Sequence, residues 1–442
     1  MSSQLTPELR TLAQRAIDWA LAAGAEQAAV VLSKGRYVEL GQRSGKLETL
    51  ESSTGRSLRL AVFAAQRYLS VQTNILQPAS LKPFVEDAVA AAKLLDPDPH
   101  RGLAEPQRYG VADADIDSVD PQCGAYSIDD HKQRLAALEE AAASTSIPVV
   151  SISTRSLTNI YTSMRLHSNG FFGETTRTLY EFGASVTVRD SGARRPDGSH
   201  FISSRFLEGV PSAAEVGDLA LKRAGEQLGA SVVPSNKMTM VVRRRCAPHL
   251  LSSLLEPLSG FALQQRSSCF EGKMGQPIGS ELLDLVDDPL LPRGLGSHLY
   301  DSDGFPAARA QVFEQGILRF FYIGLYYARK LNVEPTTSSR GNILLTPGTR
   351  SAGDLIADVK DGILVTSFLG GNSNGATGDF SYGIRGQRIK NGEIVHPVTE
   401  MNIADNHLSL WKRLVAVGND PYPYSAWRIP TLVFEDVQFS GS

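Results

Sequence analysis

Apolar residues recur at helical spacing near the start of the chain, where Leu9, Leu12, Ala13, Ala16, Ile17 and Ala20 fall on one stripe. Thr6 stands where an N-cap belongs, Pro7 and Glu8 suit a first turn and Gly24 a stop, so a helix is predicted between them. The pattern then becomes strand-like. Runs at 28–32, 37–40, 47–50, 57–63 and 68–72, separated by turns such as Lys34-Gly35 and Ser44-Gly45, predict an antiparallel meander against that helix. Leu81, Phe84, Val85, Ala88, Val89 and Ala92 restore helical spacing over 80–95, which ends at Asp96-Pro97-Asp98-Pro99. Extended loop follows to Cys123. A helix at 129–143, strands at 149–153, 158–167, 176–189 and 200–206, and a helix at 213–228 complete this half.

Small residues and a proline at 229–235 read as a linker ahead of a strand at 238–242. Beyond it the chain is richer in Gly and Pro, with hairpin signals at Glu314-Gln315-Gly316 and Asn391-Gly392 and helices near 247–263, 324–331 and 352–361. The expected class is α+β. An N-terminal domain (1–230) carries an antiparallel-rich sheet, and a C-terminal domain (231–442) forms a curved, mostly antiparallel, barrel-like sheet with a few helices.

A length of 442 residues with 42% hydrophobic content allows a sizeable core, and a net charge of −3 without long blocks gives no general field for nucleic acid. Arg194-Arg195 and Arg243-Arg244-Arg245 are isolated basic runs. The N-terminus lacks a basic head followed by an apolar core, and no stretch is apolar long enough to cross a bilayer, so a cytoplasmic protein is expected. Cys123, Cys246 and Cys269 are few and scattered, as reduced thiols would be.

Candidate chemistry is sparse. No G-x-S-x-G elbow is present, no two histidines stand at helical ligand spacing, and the P-loop order is absent from 272–279. Cys246-x-x-His249, which Cys269 or His298 could complete, is a half-site for a metal or a buried structural thiol. Asp301-Ser302-Asp303-Gly304 opens like a calcium loop, but Val312 fills the twelfth position, which favours a polar turn. Asp287-Asp288 before Pro289 fits acid/base work or turn chemistry. Function, where it is local, is expected at Gly370, Gly371, Asn372, Asn374, Asp379, Ser381, Tyr382 and Arg385. Backbone amides there could take an extended peptide as an added strand, with Arg385 meeting a carboxylate. A long structural loop capping the sheet fits the same residues.

The stretch 369–397 closely resembles the C-terminal signature of the TldD/PmbA family, in particular its TldE (PmbA) branch. The resemblance continues through Ser267-Ser268-x-Phe270-x-Gly272-Lys273-x-Gly275, Val286-Asp287-Asp288-Pro289, Gly294-Leu295-Gly296-Ser297, Tyr327-Ala328-Arg329-Lys330-Leu331 and Val415-Ala416-Val417-Gly418-Asn419-Asp420. In the TldD branch an H-E-x-x-x-H helix just ahead of the S-S-x-F segment and a cysteine near the C-terminus form a zinc site. Here the two histidine places hold Leu251 and Glu256, the glutamate place holds Ser252, and the tail 419–430 has no thiol.

The resemblance therefore implies a zinc-free subunit of a cytoplasmic heterodimeric metallopeptidase, inactive alone, whose TldD-like partner carries the zinc. Its expected substrates are unfolded or modified peptides, with self-association possible without the partner and neither membrane nor nucleic acid as a partner. A non-enzymatic regulator of the DNA gyrase modulator type and a homo-oligomeric peptidase with its own metal at Cys246 and His249 are the alternatives.

Overall fold

The computed structural model describes residues 6–143 and 146–441; the leader reading rests partly on residues 1–5, outside that range. The N-terminal half runs α1 (Pro7–Ala22), β1 (Gln27–Arg43), β2 (Lys46–Ala64), β3 (Arg67–Thr73), α2 (Pro78–Ala92), α3 (Ile128–Ala142), β4 (Val149–His167), β5 (Phe172–Val188), β6 (Asp197–Ser204) and α4 (Ala213–Gly225). Its six strands pair antiparallel in the order β3-β2-β1-β4-β5-β6. The six stripe residues of α1 are all buried. They meet Val30, Leu32, Leu58, Leu60, Val62 and Met164, even-numbered positions on one sheet face, while α2 adds Leu81, Val85 and Val89 to the same cluster. Three of the expected strand breaks are corrected. Lys34-Gly35 is not a turn, because Gly35 stays in extended pairing between Gly55 and Tyr161. Runs 47–50 and 57–63 are likewise one strand, as are 149–153 and 158–167. Polar residues on the uncovered sheet face imitate loop composition. The hairpin at Ser44-Gly45 is real, with φ of 45° and 80°.

The C-terminal half comprises β7 (Asn236–Val242), α5 (Ala247–Leu255), α6 (Gly260–Gln264), β8 (Leu285–Asp288), β9 (Ala310–Glu314), β10 (Ile317–Leu318), α7 (Leu325–Leu331), β11 (Asn342–Leu345), α8 (Ala352–Ala357), β12 (Asp361–Ser373), β13 (Asp379–Lys390), β14 (Glu393–Asn406), α9 (His407–Leu410), β15 (Leu414–Val417), β16 (Trp427–Arg428) and β17 (Leu432–Ser440). Strands β14, β13, β12, β7 and β17 pair in sequence, and β14 meets β17 at Asn402↔Ser440 and Ile403↔Phe439, so the sheet closes into a five-stranded barrel. Only β12 and β7 run parallel in it. The expected partial barrel is therefore complete. A smaller sheet, β10-β9-β8-β11-β16, lies beside it. Met240, Ile363, Ile384, Ile403, Phe434 and Phe439 fill the barrel side of the largest core cluster, each hydrophobic side chain contributing about 1.5–3 kcal/mol. The helix expected over 247–263 is cut at Pro257, which lacks the N–H a continuing helix needs.

Buried Arg205 joins the halves by donating from Nη1 to the Thr178 carbonyl at 3.0 Å and from Nη2 to the Leu295 carbonyl at 2.7 Å. Arg329 likewise donates to the carbonyls of Gly102 and Leu103 at 3.1 and 2.8 Å.

Candidate functional site

The glycine- and asparagine-rich segment is less of a loop than its composition suggests. β12 continues through it, bulging at Gly370 and Gly371, where the register jumps from Leu369↔Gly383 to Asn372↔Ser381. Gly371 has φ 98°, and a Cβ there would lie 2.1 Å from the Ser381 carbonyl oxygen, so backbone approach alone excludes a side chain. The turn proper is a tight link from Asn374 to Asp379, closed by Gly378 N–H on the Asn374 carbonyl at 2.7 Å. It is pinned from outside: Gly375 O accepts from Cys269 N at 2.7 Å, Gly378 O from His407 N at 2.8 Å, and Asn406 Nδ2 donates to Thr377 O and Asp379 Oδ1. Bonds from Thr377 and Asn406 hold the Asp379 carboxyl below the usual carboxylate range.

The eight expected residues separate into three groups. Gly370, Gly371, Asn372, Asn374, Asp379 and Ser381 are exposed along the hairpin end. Tyr382 is buried, its ring 4.8 Å from His249, 5.7 Å from Phe368 and 5.1 Å from Phe380. Arg385 pairs with Asp197 of the N-terminal half at 3.3 Å, a partner that a ligand carboxylate would displace. One feature favours an added strand. β7 pairs with β12 only from Gly362 to Val365, so among the described residues no strand occupies the outer edge of β12 over 366–373.

The places for zinc ligands lie on the helix beside this edge. Leu251 of α5 is fully buried in hydrocarbon, whereas Ser252 and Glu256 are exposed, the latter beyond the end of the helix. A hydrocarbon, a hydroxyl and a solvated carboxylate off the helical face do not fit a tetrahedral zinc site. Asp420 in the tail accepts the N–H and O–H of Thr431, both at 2.9 Å. Among the described residues no three His, Cys, Asp or Glu side chains gather so as to hold an ion.

The half-site at Cys246 and His249 is structural in its contacts. The Cys246 thiol donates to the carbonyls of Arg243 and Val365 at 3.1 and 3.2 Å, and burial pushes it up to about 12. His249 stacks on Phe368 at 5.2 Å. Burial also raises Cys123 and Cys269 to about 11, leaving all three thiols protonated and weakly nucleophilic near neutrality. Asp287 is buried, accepting from Tyr322 Oη at 2.9 Å and Gly341 N at 2.8 Å. Asp301 accepts the N–H groups of Asp303 and Phe305, the polar turn that was expected.

Sequence reading missed the arginines at 59, 101, 165 and 177, which meet around one cleft although up to 118 positions separate them, 177 less 59. For Arg59, Arg165 and Arg177 the local signal is odd-numbered placement in strands 57–63, 158–167 and 176–189, opposite the apolar face; Arg101 lies in a loop and has none.

Residues 235–441 match the PmbA/TldA metallopeptidase C-terminal domain and residues 122–228 the PmbA/TldA metallopeptidase central domain. Metalloprotease PmbA of Escherichia coli O157:H7 is 25% identical over 438 residues, covering 98% of this chain and 97% of that one. A Bacteroides thetaiotaomicron crystal structure, of a protein named for modulation of DNA gyrase, is 36% identical with a TM-score of 0.97, covering 99% of this chain and 100% of that one. TldE from Thermococcus kodakarensis shares the fold at 19% identity and a TM-score of 0.85, covering 97% and 100%.

Proposed function

The chain belongs to the PmbA/TldD metallopeptidase family, on its PmbA (TldE) side, and from that premise we propose that it is the subunit without zinc of a two-chain peptidase. The observation that carries this reading is the segment of α5 and the turn after it, where Leu251 and Glu256 stand at the two histidine places and Ser252 at the glutamate place. The ion and the water it activates then belong to a TldD-like partner. This chain contributes a place for substrate: the outer edge of β12 over 366–373 offers backbone N–H and C=O groups to an extended peptide, flanked by exposed Asn372 and Ser381. Backbone pairing of this kind favours unfolded or short modified peptides over folded proteins, because most backbone N–H and C=O groups of a folded chain are already paired. The proposed compartment is the cytoplasm, and among the described residues no helix is long and apolar enough to cross a membrane.

The test is reconstitution. The purified chain, a TldD-like chain and an unstructured peptide are combined, and cleavage is followed by mass spectrometry with and without chelator. Cleavage is expected only when both chains are present, together with a joint peak on gel filtration and no stoichiometric zinc in this chain alone. Chelator-resistant cleavage by this chain alone, or failure of the two chains to associate, sinks the proposal.

A further inference from the structure

A cleft of about 620 Å³ opens between the uncovered face of the N-terminal sheet and the C-terminal half. Its lining sets four guanidiniums, Arg59, Arg101, Arg165 and Arg177, against one carboxylate, Asp303. That is a local excess of positive charge in a chain whose net charge is −3. Among the described residues none of the four is ion-paired; neutral groups hold them instead. Arg59 donates to Gln72 Oε1 at 3.0 and 3.3 Å, and Arg165 to the Ser302 carbonyl at 2.9 Å. Arg101 lies against both Tyr326 and Tyr68, at 3.6 and 4.6 Å from their ring centres, and Arg177 lies over Tyr161 at 4.9 Å.

Asp303 is a poor counter-ion. Burial, then repulsion from Asp301, raises its carboxyl above the usual range, and its Oδ2 is already taken by Leu325 N at 3.0 Å. Arg165 is pushed down mainly by burial; Tyr300, Asp303 and Asp301 pull it back up, and Arg59 adds a smaller like-charge repulsion. Unpaired guanidiniums at the mouth of a low-dielectric groove focus potential on an anion, and their planar donor sets match carboxylate oxygens in pairs.

We propose that this cleft binds carboxylate groups of extended peptides and so gives the chain a preference for acidic substrates. The proposal rests on the reading that the chain handles peptides. It favours a peptide over a nucleic acid because the four arginines gather around one partly enclosed cleft, against tyrosines and other neutral groups, rather than running along an extended stripe.

Fluorescence anisotropy on the full chain alone tests it, with no partner needed. The probe is a labelled unstructured peptide carrying two glutamates and a free C-terminus. One control replaces both glutamates by glutamine and another amidates the C-terminus, which separates side-chain from terminal carboxylates. At low salt the acidic probe should bind at least tenfold tighter than a control lacking the recognised group, and the advantage should shrink as salt rises. The Arg59→Gln/Arg177→Gln variant should lose that advantage with an unchanged melting temperature. Arg101→Gln, between its two tyrosines, serves if the double variant unfolds. Equal binding of acidic and neutral probes, or an advantage that survives these variants, overturns the proposal. Acid preference without cleavage in the reconstituted pair would fault only the peptidase reading, and cleavage without acid preference only this one.

Discussion

The two large sheets of this chain each hold six strands, yet the N-terminal one keeps two edges, β3 and β6, whereas the C-terminal one returns on itself through β14 and β17. Closure leaves one inside and one outside. The barrel's inside is hydrocarbon, with Phe434 and Phe439 fully buried, and polar chemistry is confined to its rim, where β12 outruns β7. The open sheet instead has a face to spare. Helices cover the even-numbered side, and the odd-numbered side carries tyrosines, serines and arginines toward the C-terminal half. The barrel's inside thus serves stability, while the surfaces proposed above for recognition are its rim and the open face.

The largest expected effect tests that division. Phe434→Ala removes a fully buried ring from the barrel core and should cost about 3–5 kcal/mol, read as a lower midpoint in urea at constant m. Arg177→Gln on the open face should change stability by about 0.5 kcal/mol or less. Similar midpoints for the two variants would break the contrast.

Acid should sharpen it. Burial pushes His131 down to about 4 and His167 and His200 to about 3, all in the N-terminal half, and His407 to about 4 in the C-terminal half. Each folded imidazole titrates below its ordinary value of 6.5, so the unfolded chain binds more protons between the two values. Stability is complete above about 6.5 and falls as pH drops toward 4, by up to about 1.4 kcal/mol per pH unit for each histidine. Three of these four belong to the N-terminal half: His167 and His200 on its sheet, and His131 on α3 against β4. Hydrogen exchange should therefore show protection lost from β1, β4 and β5 before the barrel strands as pH is lowered from 7 to 4.5. Simultaneous loss in both halves would tell against the asymmetry.

How much of this was legible follows the same divide. The α1 stripe was read residue for residue, because an amphipathic helix writes its buried face in local spacing. The Asn391-Gly392 hairpin was equally local, with φ of 49° and 81°. The long strands of the open sheet were cut short at Gly35 and around Ser153 because their outward residues look like loop. Barrel closure depends on Asn402 meeting Ser440, a pairing 38 positions apart, 440 less 402, that no local pattern specifies. At the candidate site, composition located the hairpin end but could not show that Tyr382 turns inward or that Arg385 is claimed by Asp197, 188 positions away.

That last pair gives the smallest effect. Arg385 and Asp197 are 33% and 55% exposed at 3.3 Å, so screening and side-chain entropy should hold their coupling to about 0–1 kcal/mol. A double-mutant cycle with Arg385→Gln and Asp197→Asn, repeated in high salt, measures it. The two halves are instead held by charge-assisted bonds such as that from buried Arg205 to the Leu295 carbonyl, which salt reaches poorly. A coupling of several kcal/mol that vanished in salt would mean that the open sheet is fastened to the barrel by surface charge, and that the cleft between them can widen.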